Sequence, residues 1–147
     1  MAELNIMEPL DLHIKLLLNS MKPAERKRKM RLIGRALRKA NQNRIKKQVN
    51  PDGSAFSPRK QSEKKKRPKK MFMALRTAKH MKLFARAKGV SVGFAGRDAK
   101  IARIHQFGQR DVISVFGQQY DFPVRELLGF SADDQDIIKE IVLNAGI

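Results

Sequence analysis

The stretch Ile101-Ala-Arg-Ile-His-Gln-Phe-Gly108 decides how the rest of the chain is read. It is apolar, with one Arg, one His and one Gln set into it. Phe107 is expected to be a buried anchor, and Gly108 lets the chain change direction sharply. Upstream the sequence is strongly basic and mostly of helical period. Downstream it turns acidic and runs to a second compact motif, Phe122-Pro-Val-Arg-Glu-Leu-Leu-Gly129.

Charge shows this division best. Residues 22–88 hold 25 Lys or Arg against three acids, whereas residues 109–147 hold three basic residues and seven acids. The formal net charge is +18. Such a field favours polyanions or acidic protein surfaces, and it allows one copy to meet another basic face to acidic face. A chain of 147 residues is read as a single domain, 1–147, able to bury a modest core. No apolar run approaches the ~20 residues of a membrane span, so no membrane partner is expected. The N-terminus lacks the pattern of a secretory signal. There is no cysteine, which removes disulfides and thiolate metal sites from consideration.

Outward from the central stretch, periodicity supplies the elements. Leu10, Ile14, Leu17 and Met21 predict a short amphipathic helix over about 9–20. Pro23 begins a second helix with the stripe Met30, Ile33, Leu37, Ala40 and Ile45, running to about Val49. Asn50-Pro-Asp-Gly53 is a turn. The basic loop at 57–70 has few apolar residues and is expected to be flexible. Met71, Leu75, Ala78, Met81 and Ala85 then predict a helix over about 71–88, stopped by Gly89. Val90, Val92 and Phe94 alternate like a half-buried strand. Gly93-Phe-Ala-Gly96 is formally a GxxG. RNA-binding loops of that pattern join two helices, so here it reads as a plain turn.

Asp98 to Gln106 predicts a short helix. Residues 112–116 and 119–122 predict two strands joined by a two-residue turn at Gly117-Gln118. Ser131 is expected to cap a final helix with Asp133, Asp134 and Asp136 in its first turns, where the helix dipole favours negative charge. Ile137, Ile138, Ile141 and Val142 would be its buried side.

The search for reaction chemistry finds little. His13, His80 and His105 lack metal-ligand spacing, and no phosphate loop, dinucleotide fingerprint or nucleophile elbow is present. His105, beside Phe107, is expected to be a packed histidine bonded to the backbone. The chain is therefore read as a non-enzyme without cofactor or metal.

Ile101-Ala-Arg-Ile-His-Gln-Phe-Gly108 and Pro123-Val-Arg-Glu-Leu-Leu-Gly129 resemble the phage virion morphogenesis family, which includes tail-completion proteins of temperate phages with contractile tails. Pro51-Asp-Gly-Ser-Ala-Phe56, Lys69-Lys-Met-Phe-Met-Ala-Leu-Arg76, Val92-Gly-Phe94 and Ser131 to Ile141 follow the family in order and spacing. The resemblance spans about residues 10–145. Phe56 stands where many relatives have Trp, and the lysine density of 59–70 exceeds the family's pattern.

The resemblance implies an α+β fold, with several amphipathic helices packed on a small, mainly antiparallel sheet. It also implies a structural role in virion morphogenesis, completing the tail at its head-proximal end and enabling head–tail joining. The partners it implies are further copies in a ring, tail tube or tail terminator proteins and head connector proteins. The location implied is the virion, after assembly in the host cytoplasm. His105, Gln106, Phe107, Arg125, Glu126, Leu127 and Leu128 are candidate subunit or partner contacts. Arg125 and Glu126 can equally form a local ion pair within one copy. Lys64, Lys65, Lys66, Arg67, Lys69 and Lys70 are candidate polyanion contacts, passing DNA included. The alternative function is a basic nucleic-acid-binding protein using the helices and loop of residues 22–88. In a ring, the basic helices 23–49 and 71–88 would face Asp133, Asp134 and Asp136 of a neighbour.

Overall fold

Pro23 opens the longest helix at a position where its missing N–H would have had no partner. A computed structural model describes residues 3–5, 12–60 and 69–144. Its elements are β1 (Glu3–Asn5), α1 (Leu12–Ser20), α2 (Pro23–Lys47), β2 (Lys82–Arg86), β3 (Gly89–Gly93), α3 (Gly96–Phe107), β4 (Arg110–Val112), β5 (Gln119–Asp121) and α4 (Ala132–Leu143). This is the α+β fold expected. α2 lies on an antiparallel sheet of order β1-β3-β2, and β4 and β5 form a separate two-stranded ribbon.

The apolar stripe of α2 makes the core. Met30, Ile33, Leu37 and Ile45 are buried together with Val90, Val92 and Phe94 from and beside β3. Gly34 permits close packing of helix on sheet: a Cβ there would stand 2.6 Å from Val90 Cγ2 and 2.8 Å from Leu83 Cδ1. Ile138 and Val142 of α4 extend the core where α4 packs on α2, and Ile14 and Leu18 of α1 join it against α4. α2 ends at Gln48, in left-handed conformation at φ 58°. Its side chain closes that end by bonding the Met71 backbone in both directions, at 2.9 Å each way.

Two polar residues, Lys29 and Asn41, interrupt the stripe. Lys29 is fully buried, and its ammonium donates to the carbonyls of Ile141 and Asn144 at the C-terminal end of α4. Those carbonyls lie at the end of α4, where the helix dipole is negative and a cation is favoured. Lys29→Met keeps the stem but abandons both acceptors. It should cost about 1–3 kcal/mol, read as a lowered urea midpoint at unchanged m-value.

The helix expected over 71–88 does not form. Residues 71–80 are a series of turns, with Phe72 at φ 64°, and Lys82–Arg86 is strand β2. Met81, Leu83 and Ala85 also repeat at period two, which suits a strand. Pairing of β2 with β3, joined by the two residues Ala87 and Lys88, decides between the periods. The ribbon differs too. Val112 pairs with Gln119, so residues 113–118 form a longer loop, and the two-residue turn at Gly117-Gln118 is not made. Val115 and Phe116 stand 95% and 94% exposed at its tip.

The remaining elements follow their signals, except that Ile137, expected on the buried side of α4, stands exposed one helical position away from the inward face of Ile138 and Val142. Gly108 caps α3 at φ 63°, and Ser131 caps α4 in a reciprocal box with Asp134. The GxxG segment is the turn from β3 into α3. The expected helix start at 9–11 lies outside the described residues, as does 61–68 of the basic loop, with Lys64, Lys65, Lys66 and Arg67.

Candidate functional site

The two motifs that carry the resemblance meet at the C-terminal end of α3. Gln106 pairs with the backbone of Leu128, its amide donating at 2.8 Å and its oxygen accepting at 3.0 Å. The Arg125 N–H donates to the His105 carbonyl at 2.8 Å. Side chains from elsewhere hold the same segment. Asn50 accepts from the Glu126 N–H at 2.9 Å, Asn41 accepts from the Gly129 N–H at 3.0 Å, and Arg44 donates to the Gly129 carbonyl at 2.9 Å. Every one of these contacts uses a backbone group that the extended segment 125–129 would otherwise leave unpaired. Arg44 also donates to Asp134 at 2.7 Å, which ties the start of α4 to α2.

Beside this junction runs a line of rings. Phe56, Phe72, His105, Phe122 and Tyr120 pack edge-to-face in succession, with centroids 4.6 to 5.9 Å apart. Above Phe72, His105, Phe122 and Tyr120 opens a cleft of about 430 Å³. Arg59, Lys60, Lys70 and Arg125 also line it, and among the described residues no acidic one does. Lys60 lies 4.8 Å over the Tyr120 ring. Arg125 is 4% exposed, with Nε and Nη2 each donating at 2.8 Å, to the carbonyls of Ser57 and Pro58.

Electrostatics here is governed by burial. His105 is pushed down to about 4, first by its burial between rings and then by the charge of Arg125. Burial likewise lowers Arg125 from the usual guanidinium value. The sign for His105 is acid-destabilising. An unfolded chain takes up a proton near pH 6.5, while the folded chain resists until about 4. Stability contributed by neutral His105 is therefore present above pH 6.5 and lost as pH falls towards 4. His105→Gln should flatten the pH dependence of the urea midpoint across that window relative to the parent chain.

The match to known proteins bears on the same residues. The model of the phage virion morphogenesis family matches residues 7–145. The chain belongs to that family. A relative, Tail completion protein S of Escherichia phage P2, is 35% identical over 132 residues, covering 86% of this chain and 88% of the relative. No solved structure matches.

Within this family member the expected contact residues separate into three groups. Leu127 and Leu128 are buried in the core, and Gln106 and Arg125 are engaged with backbone. These four hold the fold together, and as outward contacts their side chains are largely occupied. His105 is half-buried in the cleft wall; Arg125, and not a backbone group, faces its Nδ1, at 3.4 Å. Phe107 and Glu126 are exposed, so Phe107 is not the buried anchor expected. Among the described residues Arg125 makes no ion pair with Glu126 or any other carboxylate. Lys69 is exposed, and Lys70 donates to the Lys46 carbonyl at 3.0 Å. No group of three or more metal-ligating side chains occurs among the described residues.

Sequence reasoning passed over Asn41, Arg44, Phe72 and Tyr120. Asn41 was detectable, since it sits one helical step from both Leu37 and Ile45, where an apolar residue belongs. The cleft had no local signal, because five separate segments build it.

Proposed function

We propose that this protein completes the phage tail at its head-proximal end, as a ring of copies that makes the tail competent to join the head. A structural, tail-completing role in virion morphogenesis follows from family membership and the phage P2 relative. The observation that carries the reading is the near-complete overlap of the two chains at 35% identity. A match over that length transfers the whole domain and not one motif.

The finer assignments are our reading. The partners would be tail tube or tail terminator proteins on one side and head connector proteins on the other. The protein would act in the virion after assembly in the host cytoplasm, without catalysis. Exposed apolar groups at the ribbon tip, Val115 and Phe116, support an assembly role, because a packed chain gains nothing by leaving them in water. A passing genome would meet the row of Arg31, Arg35 and Arg38 on α2, which lies open beside β2.

The gene should be deleted from its phage and the lysate viewed by electron microscopy. Free full heads beside separate tails are expected, with joining restored by the chain supplied in trans. Joined particles at normal yield would overturn the proposal.

A further inference from the structure

Arg125 presents an unusual electrostatic situation. Its guanidinium is held by two carbonyl oxygens, which carry only partial charge, and no carboxylate pairs with it among the described residues. A buried cation so placed remains largely uncompensated. Arg59, Lys60 and Lys70 add to the same field around a floor of aromatic rings. The complement of such a cleft is a surface that sets carboxylates beside aliphatic side chains.

The chain itself carries one. On α4, Asp134, Ile138 and Val142 face inward, at i, i+4 and i+8. The outer side shows Asp133, Asp136 and Glu140 to solvent, with Ile137 and Leu143 exposed among them. Asp133, Ile137 and Glu140 succeed one another at i, i+4 and i+7, as do Asp136, Glu140 and Leu143, so acids and aliphatics share one face.

We infer that the outer face of α4 of one copy docks in the cationic, aromatic cleft of the next. The inference rests on the ring reading above and specifies its contact. Asp133, Asp136 and Glu140 meet the cationic rim, while Ile137 and Leu143 cover apolar ring surface. The two patches differ, so the contact is heterologous and repeats from copy to copy until it closes. Charge sets register and encounter rate, and the apolar area supplies most of the affinity. The basic side is thus the cleft and not a helix at 71–88, and Asp134 takes no part because Arg44 already holds it. Nucleic acid suits the cleft less well. Its rings pack edge-to-face and not as a row of parallel planes on which successive bases stack, and Lys60 already covers Tyr120.

The test is sedimentation of the full chain near 0.1 M salt, where the Debye length is about 10 Å. Lys60→Glu with Lys70→Glu should weaken self-association at least ~10-fold, and so should Asp136→Lys with Glu140→Lys. All four changes in one chain exchange the signs at the paired positions while Arg59, Arg125 and Asp133 keep theirs, and should recover part of the lost association, at least about threefold over either pair alone. Circular dichroism confirms folding of each variant. Association indifferent to the reversals, or a fourfold variant as weak as either pair, overturns the contact while leaving the ring reading standing. A parent chain that stays monomeric overturns both. Loss of duplex-DNA binding with unchanged self-association would assign the cleft to a polyanion instead.

Discussion

Asp134→Ala is expected to lower the unfolding free energy by about 3–5 kcal/mol, the range for removing one partner of a buried ion pair. That corresponds to roughly 6–20 °C in Tm for a chain of this size. Asp134 is 3% exposed at its side chain and Arg44 14%, with 2.7 Å between them. The same carboxylate accepts the Ser131 N–H at 3.0 Å, closing the capping box of α4. Its loss leaves the Arg44 guanidinium buried with only the neutral acceptors Asn41 and Gly129. It also unpins α4 from α2. Arg44→Met in the Asp134→Ala background removes the stranded charge and should recover part of the loss. Thermal and urea unfolding of the single and double variants would decide it. Equal losses added together would show that the pair is not coupled.

Gly129→Ala should be nearly as damaging, at about 3 kcal/mol or more. A Cβ at this position collides with the Pro51 ring, reaching its Cγ and lying 2.7 Å from its Cβ. A proline ring cannot rotate away as a free side chain can. Movement of Gly129 would also break its bonds to Asn41 and Arg44. The collision thus reaches the junction that positions Arg125 and the cleft. Gly53→Ala is the control. Nothing lies within 4 Å of that Cβ, so only the strain of φ +87° remains, about 1–2 kcal/mol. Pro51→Gly should rescue most of the Gly129→Ala defect and little of the Gly53→Ala one. Soluble yield and urea midpoints of these variants would measure both effects.

These two residues also mark where a linear reading stops. Leu-Leu-Gly129 was legible as a motif, yet the need for glycine depends on Pro51, 78 residues earlier. Asp134 was legible as a helix-start acid, and the capping box bears that out. Its partner on α2 was not visible, because an ion pair across 90 residues leaves no local period.

The sequence by itself determined the elements whose stabilisation is local. The stripe of α2, Pro23 at its start, Gly108 after α3 and Ser131 before α4 all act within a turn or two of chain, so spacing reveals them. It also carried family membership, since ordered motifs survive without reference to contacts. Tertiary structure alone decided the rest. Residues 82–86 fit both helical and strand periods, and only pairing with β3 under α2 selects the strand. The ribbon register was set by pairing across β4 and β5, including the Arg110–Asp121 pair, and not by Gly117. The cleft exists because loop 57–60, the turns at 70–72, α3, the ribbon and Arg125 converge on one place. Each of those segments is ordinary by itself. Their shared charge and ring surface arise from contacts distant in sequence, whose free energy no local pattern records.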